Sequence, residues 1–121
     1  MKTDQKSILV VEDEEPVRML IKEELEDEGY KVFTVKNGTE ALAYLASNNV
    51  DLVTLDIEMP DLNGLDVAGK IREMKKPVKI LILTAYSHYR SDLSSWAADD
   101  YVVKSSNMSE MKRKVKELLE D

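Results

Sequence analysis

The chain has 121 residues, 43% of them hydrophobic, which suits one ordinary domain with enough apolar material for a core. A formal charge of −7 argues against nonspecific binding to nucleic acid, which wants a basic face, and the lack of cysteine excludes disulfide and thiol chemistry. No apolar run reaches the about 18 residues a membrane span needs, and MKTDQK leads straight into a strand pattern, so the expected setting is the cytoplasm, without membrane insertion.

Strand and helix patterns alternate along the chain. Ser7–Val11 is a short apolar run, the first strand. From Glu14 to Glu28, Val17, Leu20, Ile21 and Leu25 recur at helical spacing. Pro16 falls in the first turn, where a missing N–H costs little, and Gly29 is the natural stop. Lys31–Val35 reads as the second strand and Thr39–Ser47 as the second helix. The stretch Asp51–Gly64 opens with Leu52, Val53 and Leu55, broken only by Thr54, as a strand buried on both faces would be. It stops at Asp56 and becomes a loop whose turn formers are Pro60, Asp61, Asn63 and Gly64.

A third helix follows from Leu65 to Lys75, ended before Pro77, and Val78–Leu83 is the fourth strand. Ser87–Ala98 is a serine-rich helix anchored by Leu93 and Trp96, with His88 as a surface residue. Tyr101–Val103 is a brief fifth strand. Met108, Met111, Val115, Leu118 and Leu119 then form one face of a last helix. Short connections between such units predict a parallel sheet between two helix layers. This is a flavodoxin-like (βα)5 three-layer sandwich with strand order 2-1-3-4-5.

In that topology the C-terminal ends of the strands line one crevice, where open α/β folds bind ligands. Glu12 and Asp13 follow strand one, Asp56 ends strand three, Thr84 and Ala85 follow strand four, and Lys104 follows strand five. Alone, Asp56 could cap a turn and Glu12 or Asp13 a helix; together they form a set. Converging carboxylates repel one another, and oxygen ligands without histidine or cysteine suit Mg²⁺ better than zinc. Lys104 supplies a cation for Asp56 or for an incoming phosphoryl oxygen, and Thr84 a hydroxyl. An acid, a metal and a lysine around a carboxylate nucleophile are the parts phosphoryl transfer needs.

The pattern of Glu12-Asp13, Asp56, MPDLNG at Met59–Gly64, Thr84-Ala85 and DDYVVK at Asp99–Lys104 resembles the receiver domain of two-component response regulators. The resemblance runs from about Ser7 to Leu119. It implies phosphorylation of Asp56 by a phosphohistidine on a sensor histidine kinase or histidine phosphotransfer protein. It further implies Mg²⁺ held by Asp13, Asp56 and the backbone carbonyl of Glu58, with Glu12 acting through water. By the same resemblance, Lys104 and Thr84 grip the phosphoryl oxygens, and Thr84 with Tyr101 forms a switch pair.

An aspartyl phosphate adds about one further negative charge, to which a loop hydroxyl and a half-buried ring can respond without repacking the core. The expected output is altered binding of a downstream protein, with catalysis confined to the domain's own phosphorylation and dephosphorylation. Two departures from the family pattern stand out. Ser105 follows Lys104 where most members have proline, and Ala97 stands where glycine is frequent. The chain stops at Asp121, so the expectation is a stand-alone receiver over 1–121 with a short tail at 1–6 and no DNA-binding output domain. A flavodoxin-type cofactor binder would need a donor-rich loop after strand one, and EDEEP would repel a phosphate there. A pseudo-receiver that binds partners without being phosphorylated is the remaining alternative.

Overall fold

The computed structural model describes residues 5–85, 97–104 and 108–120. Of the expected helix Ser87–Ala98, all but Ala97 and Ala98 falls outside the described residues, and those two are not helical; His88, Ser105 and the start of the tail also lie outside the described residues. Five parallel strands form one sheet: β1 (Ser7–Val11), β2 (Lys31–Val35), β3 (Leu52–Asp56), β4 (Lys79–Thr84) and β5 (Asp100–Val103). Their order is β2-β1-β3-β4-β5, as the sequence predicts. The described helices are α1 (Glu15–Asp27), α2 (Gly38–Ser47), α3 (Gly64–Glu73) and α4 (Ser109–Leu119). None of them is long and apolar enough to cross a membrane.

Strand side chains alternate between two cores, which makes three layers. On one face Leu9, Val53, Ile80 and Ile82 meet Ala41 and Leu45 of α2 and Val67 and Ile71 of α3. On the other, Ile8, Leu52 and Leu81 meet Ile21 and Leu25 of α1 and Met111 and Val115 of α4. Burying each such Leu or Ile side chain contributes about 1.5–3 kcal/mol, which is what fixes the register of every strand. Thr54 is the exception within β3. It is buried between Val10 and Leu81, and its hydroxyl has no partner among the described residues.

Helix ends follow local chemistry. Pro16 sits in the first turn of α1, and Gly29, at φ 98°, takes the left-handed conformation just past it. Asn37 caps α2 by accepting the Glu40 N–H at 2.8 Å. Helix α3 stops at Glu73, two residues before the expected Lys75, because Lys75 itself turns left-handed at φ 58°. Arg72 of α3 then clasps the start of β4 and β5. It donates to the carbonyls of Val78 and Ala97 at 2.6 and 2.8 Å and to the Asp99 carboxylate at 2.5 Å. Asp99 in turn accepts the Ile80 N–H at 2.7 Å.

Candidate functional site

The site forms at the C-terminal edge because β1 and β3 are paired in register there, Val11 opposite Leu55. The residues that follow, Glu12 and Asp56, are thereby delivered side by side. Glu12 is 1% exposed, and a buried carboxylate needs donors. It has two: Lys104 Nζ donates to Oε1 at 2.7 Å and the Glu14 N–H to Oε2 at 3.2 Å. Arg18, one turn into α1, holds the Glu12 carbonyl at 3.0 Å. Burial pushes the Glu12 carboxyl above its ordinary pKa, and the bond and charge of Lys104 offset this only in part.

Lys104 is placed by its backbone, whose N–H donates to the Thr84 carbonyl at 2.6 Å just past the β4–β5 ladder. Its ammonium bridges Glu12 Oε1 and Asp56 Oδ2, the latter at 2.9 Å. Burial works to lower the Lys104 pKa, but the hydrogen bonds and charges of the two carboxylates outweigh it and leave it raised. Asp56 also accepts the Glu58 N–H on Oδ1, at 3.3 Å. Asp13 stands exposed at the mouth, and ligand oxygens of Glu12, Asp13 and Asp56 all lie within 4.8 Å of one another. One ammonium among three carboxylates leaves negative charge in excess. The donor set is oxygen only, so it fits a hard divalent cation such as Mg²⁺.

Thr84 is buried at the end of β4, beside Lys104. Tyr101 lies lower on β5, opposite Ile82, half-buried against the core that α2 and α3 share. Glu58 is exposed, in the loop of residues 57–63. That loop is pinned at both ends. The Gly64 N–H donates to the Ile57 carbonyl at 2.8 Å, and Asn63 caps α3 by accepting the Leu65 N–H at 2.7 Å. A Cβ on Gly64 would stand 2.0 Å from the Asp56 carbonyl oxygen, so no other residue fits beneath the acid. Asp61 ties the loop's middle to α2. Its carboxylate accepts the Gly38 N–H at 3.1 Å, the Thr39 N–H at 2.9 Å and the Thr39 hydroxyl at 2.6 Å.

The structure brings the residues the sequence assigns to one crevice together, and the switch residue implied by the resemblance lies apart from them. Glu12, Asp13, Asp56 and Lys104 form a cluster with Thr84 at its flank, while Tyr101 sits on the strand below. Sequence reasoning missed Arg18 and saw Asp61 only as a turn former. Arg18 carries no signal of its own, because its contact is to a carbonyl, and Asp61 finds its partners 22 and 23 residues away.

Residues 8–116 match the response regulator receiver domain family. The transcriptional regulatory protein ResD of Bacillus subtilis is 40% identical over 97% of this chain and 49% of its own length. The alkaline phosphatase synthesis regulator PhoP of the same organism is 37% identical over 94% and 48%. The chain thus spans about half the length of the curated relatives it matches. Among solved structures, the response regulator TrrA of Thermotoga maritima, in complex with Mg²⁺–BeF, superposes with a TM-score of 0.90 at 64% identity, covering 95% of this chain and all of that one. TrrA in complex with the histidine kinase ThkA gives a TM-score of 0.88 at 63% identity, covering 96% of this chain and all of that one. The chain belongs to the response regulator receiver family.

Proposed function

We propose that this domain accepts a phosphoryl group on Asp56 from a histidine-bound donor and passes the signal on as a change in protein binding. The observation that carries this reading is the Lys104 ammonium bridging Asp56 Oδ2 and Glu12 Oε1 at the sheet edge. It fixes the nucleophile in place and sets a cation beside it, with Asp13 alongside. An Asp56 oxygen attacks phosphorus, the P–N bond to the donor imidazole breaks, and its electron pair leaves with the imidazole. The nucleophile is already a carboxylate, so no proton has to be removed from it.

Lys104 meets the incoming negative charge, and the Thr84 hydroxyl supplies a further donor. Asp13, Asp56 and the Glu58 carbonyl, with Glu12 acting through water, would hold Mg²⁺, which would supply charge neutralisation for the transferring group. Tyr101 is the switch partner of Thr84, its half-buried ring able to change depth without disturbing the layers on either side. A sensor histidine kinase is the donor that fits, supported by TrrA in complex with ThkA. A histidine phosphotransfer protein would present the same phosphohistidine. The recipient of the signal is a protein, since a domain of charge −7 has little attraction for nucleic acid.

The intact set of Glu12, Asp13, Asp56 and Lys104 favours this acceptor over a pseudo-receiver, which has no use for a buried bridged carboxylate. Incubation with acetyl phosphate and Mg²⁺, followed by intact mass, tests it. Wild type gains one phosphoryl mass and Asp56→Asn gains none; equal gain, or none in either, contradicts the assignment.

A further inference from the structure

The loop after Asp56 has to present backbone groups to the site, and a loop of turn-forming residues does not hold itself still. Its ends are fixed by Gly64 and Asn63, as described, but those contacts lie within the loop or at its junction with α3. Among the described residues, Asp61 hydrogen-bonds the loop's middle to a separate element. Three donors from the first turn of α2 converge on its carboxylate, which also accepts the Leu62 N–H at 2.7 Å. Anion acceptors at a helix N-terminus are held by both the unpaired N–H groups and the helix dipole. Those bonds hold the Asp61 carboxyl down at about 2, the Thr39 hydroxyl contributing most.

A second observation shows the same junction from the α2 side. Gly38 opens α2, and a Cβ there would stand 2.7 Å from Val67 Cγ2 and 3.0 Å from Leu62 Cβ. The start of α2 is thus pressed against the loop and α3 together. Asn37 already satisfies the Glu40 N–H, so α2 has a cap of its own, and Asp61 reaches it from another part of the chain.

We propose that Asp61 is a positioning residue for the acceptor site: by anchoring the 57–63 loop to the N-terminus of α2, it holds the Glu58 backbone in place for the metal. This rests on the reading that Glu58 contributes its carbonyl to Mg²⁺. Groups that orient a metal ligand typically change affinity by about 10–100-fold when removed, and the indirect path from Asp61 puts it at the low end.

The test is Mg²⁺ titration by calorimetry, without phosphoryl donor, on wild type, Asp61→Ala, Asp61→Asn and Asn37→Ala, with metal-free melting temperatures alongside. Asp61→Ala is expected to weaken Mg²⁺ about 10-fold. Asp61→Asn should lose less, because its amide oxygen keeps one acceptor. Asn37→Ala removes a cap from the same helix without touching the loop, so it should lower the melting temperature and leave Mg²⁺ affinity unchanged. Hydrogen exchange at the Glu58–Leu62 amides should accelerate in Asp61→Ala and not in Asn37→Ala. Thr39→Val, which deletes one donor, repeats the effect at smaller size should Asp61→Ala fail to fold. If the Asp61 and Thr39 variants bind Mg²⁺ as wild type does while melting lower, Asp61 is only a helix cap and the proposal is overturned. If wild type itself binds no Mg²⁺, the metal reading fails and the proposal falls with it.

Discussion

Lys104 Nζ stands 2.9 Å from Asp56 Oδ2, joining the end of β5 to the end of β3. The same ammonium satisfies Glu12, which is 1% exposed and would otherwise be a buried carboxylate short of donors. Replacing Lys104 with Met should therefore cost about 2 kcal/mol at neutral pH, less than a fully buried pair because the lysine remains partly in contact with water. The carboxylates then lack their fixed cation, so Mg²⁺ should stabilise the variant more than it stabilises wild type. Urea denaturation with and without Mg²⁺ checks both. A smaller Mg²⁺ effect in the variant would mean that Lys104 does not compete for these oxygens.

Gly64 is the second fixed point. A Cβ there lies 2.0 Å from the Asp56 carbonyl oxygen and 2.9 Å from Ile57 Cα, both backbone atoms that cannot rotate away. Gly64→Ala should cost about 3 kcal/mol or more and move the acceptor acid, so that phosphorylation falls further than folding does. Thermal melting and acetyl phosphate uptake at a temperature where the variant is folded separate the two effects. Wild-type stability in Gly64→Ala would contradict the close approach.

The buried hydroxyl of Thr54 has no partner among the described residues and sits between Val10 and Leu81. Valine keeps its shape and β-branching, so Thr54→Val should stabilise the fold by about 1–2 kcal/mol. A higher urea midpoint with an unchanged slope is the expected result. A loss of stability would mean that the hydroxyl has a structural use.

Acid should loosen the junction between α2 and the loop. The Asp61 carboxyl is lowered from its ordinary 3.8 to about 2, chiefly by the Thr39 hydroxyl. A depressed folded-state pKa means stability that is present above about 4 and lost as pH falls towards about 2. The melting temperature of Asp61→Asn should therefore depend less steeply on pH across that window than that of wild type. Parallel curves would show that Asp61 gains nothing from its partners on folding.

Much of this was legible in the sequence because each strand announces itself locally. The runs SILVV and DLVTLD are apolar and end at acids, and short βα units leave few ways to connect them. The strand order put Glu12, Asp13, Asp56 and Lys104 at one edge, and the structure brings those four together. Long-range contacts to backbone were hidden, since a carbonyl or N–H partner leaves no residue pattern. Arg72 joining α3 to Val78 and Ala97, Arg18 on the Glu12 carbonyl and Asp61 on α2 are all of this kind. The end of α3 falls short of Lys75 because the positive φ there is imposed by the fold, where the sequence offers only the coming Pro77 as a signal.

The most direct measurement is the site of phosphorylation itself. Wild type treated with acetyl phosphate and Mg²⁺, then with borohydride to trap the acyl phosphate, should yield one reduced residue on peptide mass spectrometry, at Asp56, and none when Mg²⁺ is chelated. Trapping at Asp13 or elsewhere, or equal trapping in Asp56→Asn, would contradict the account.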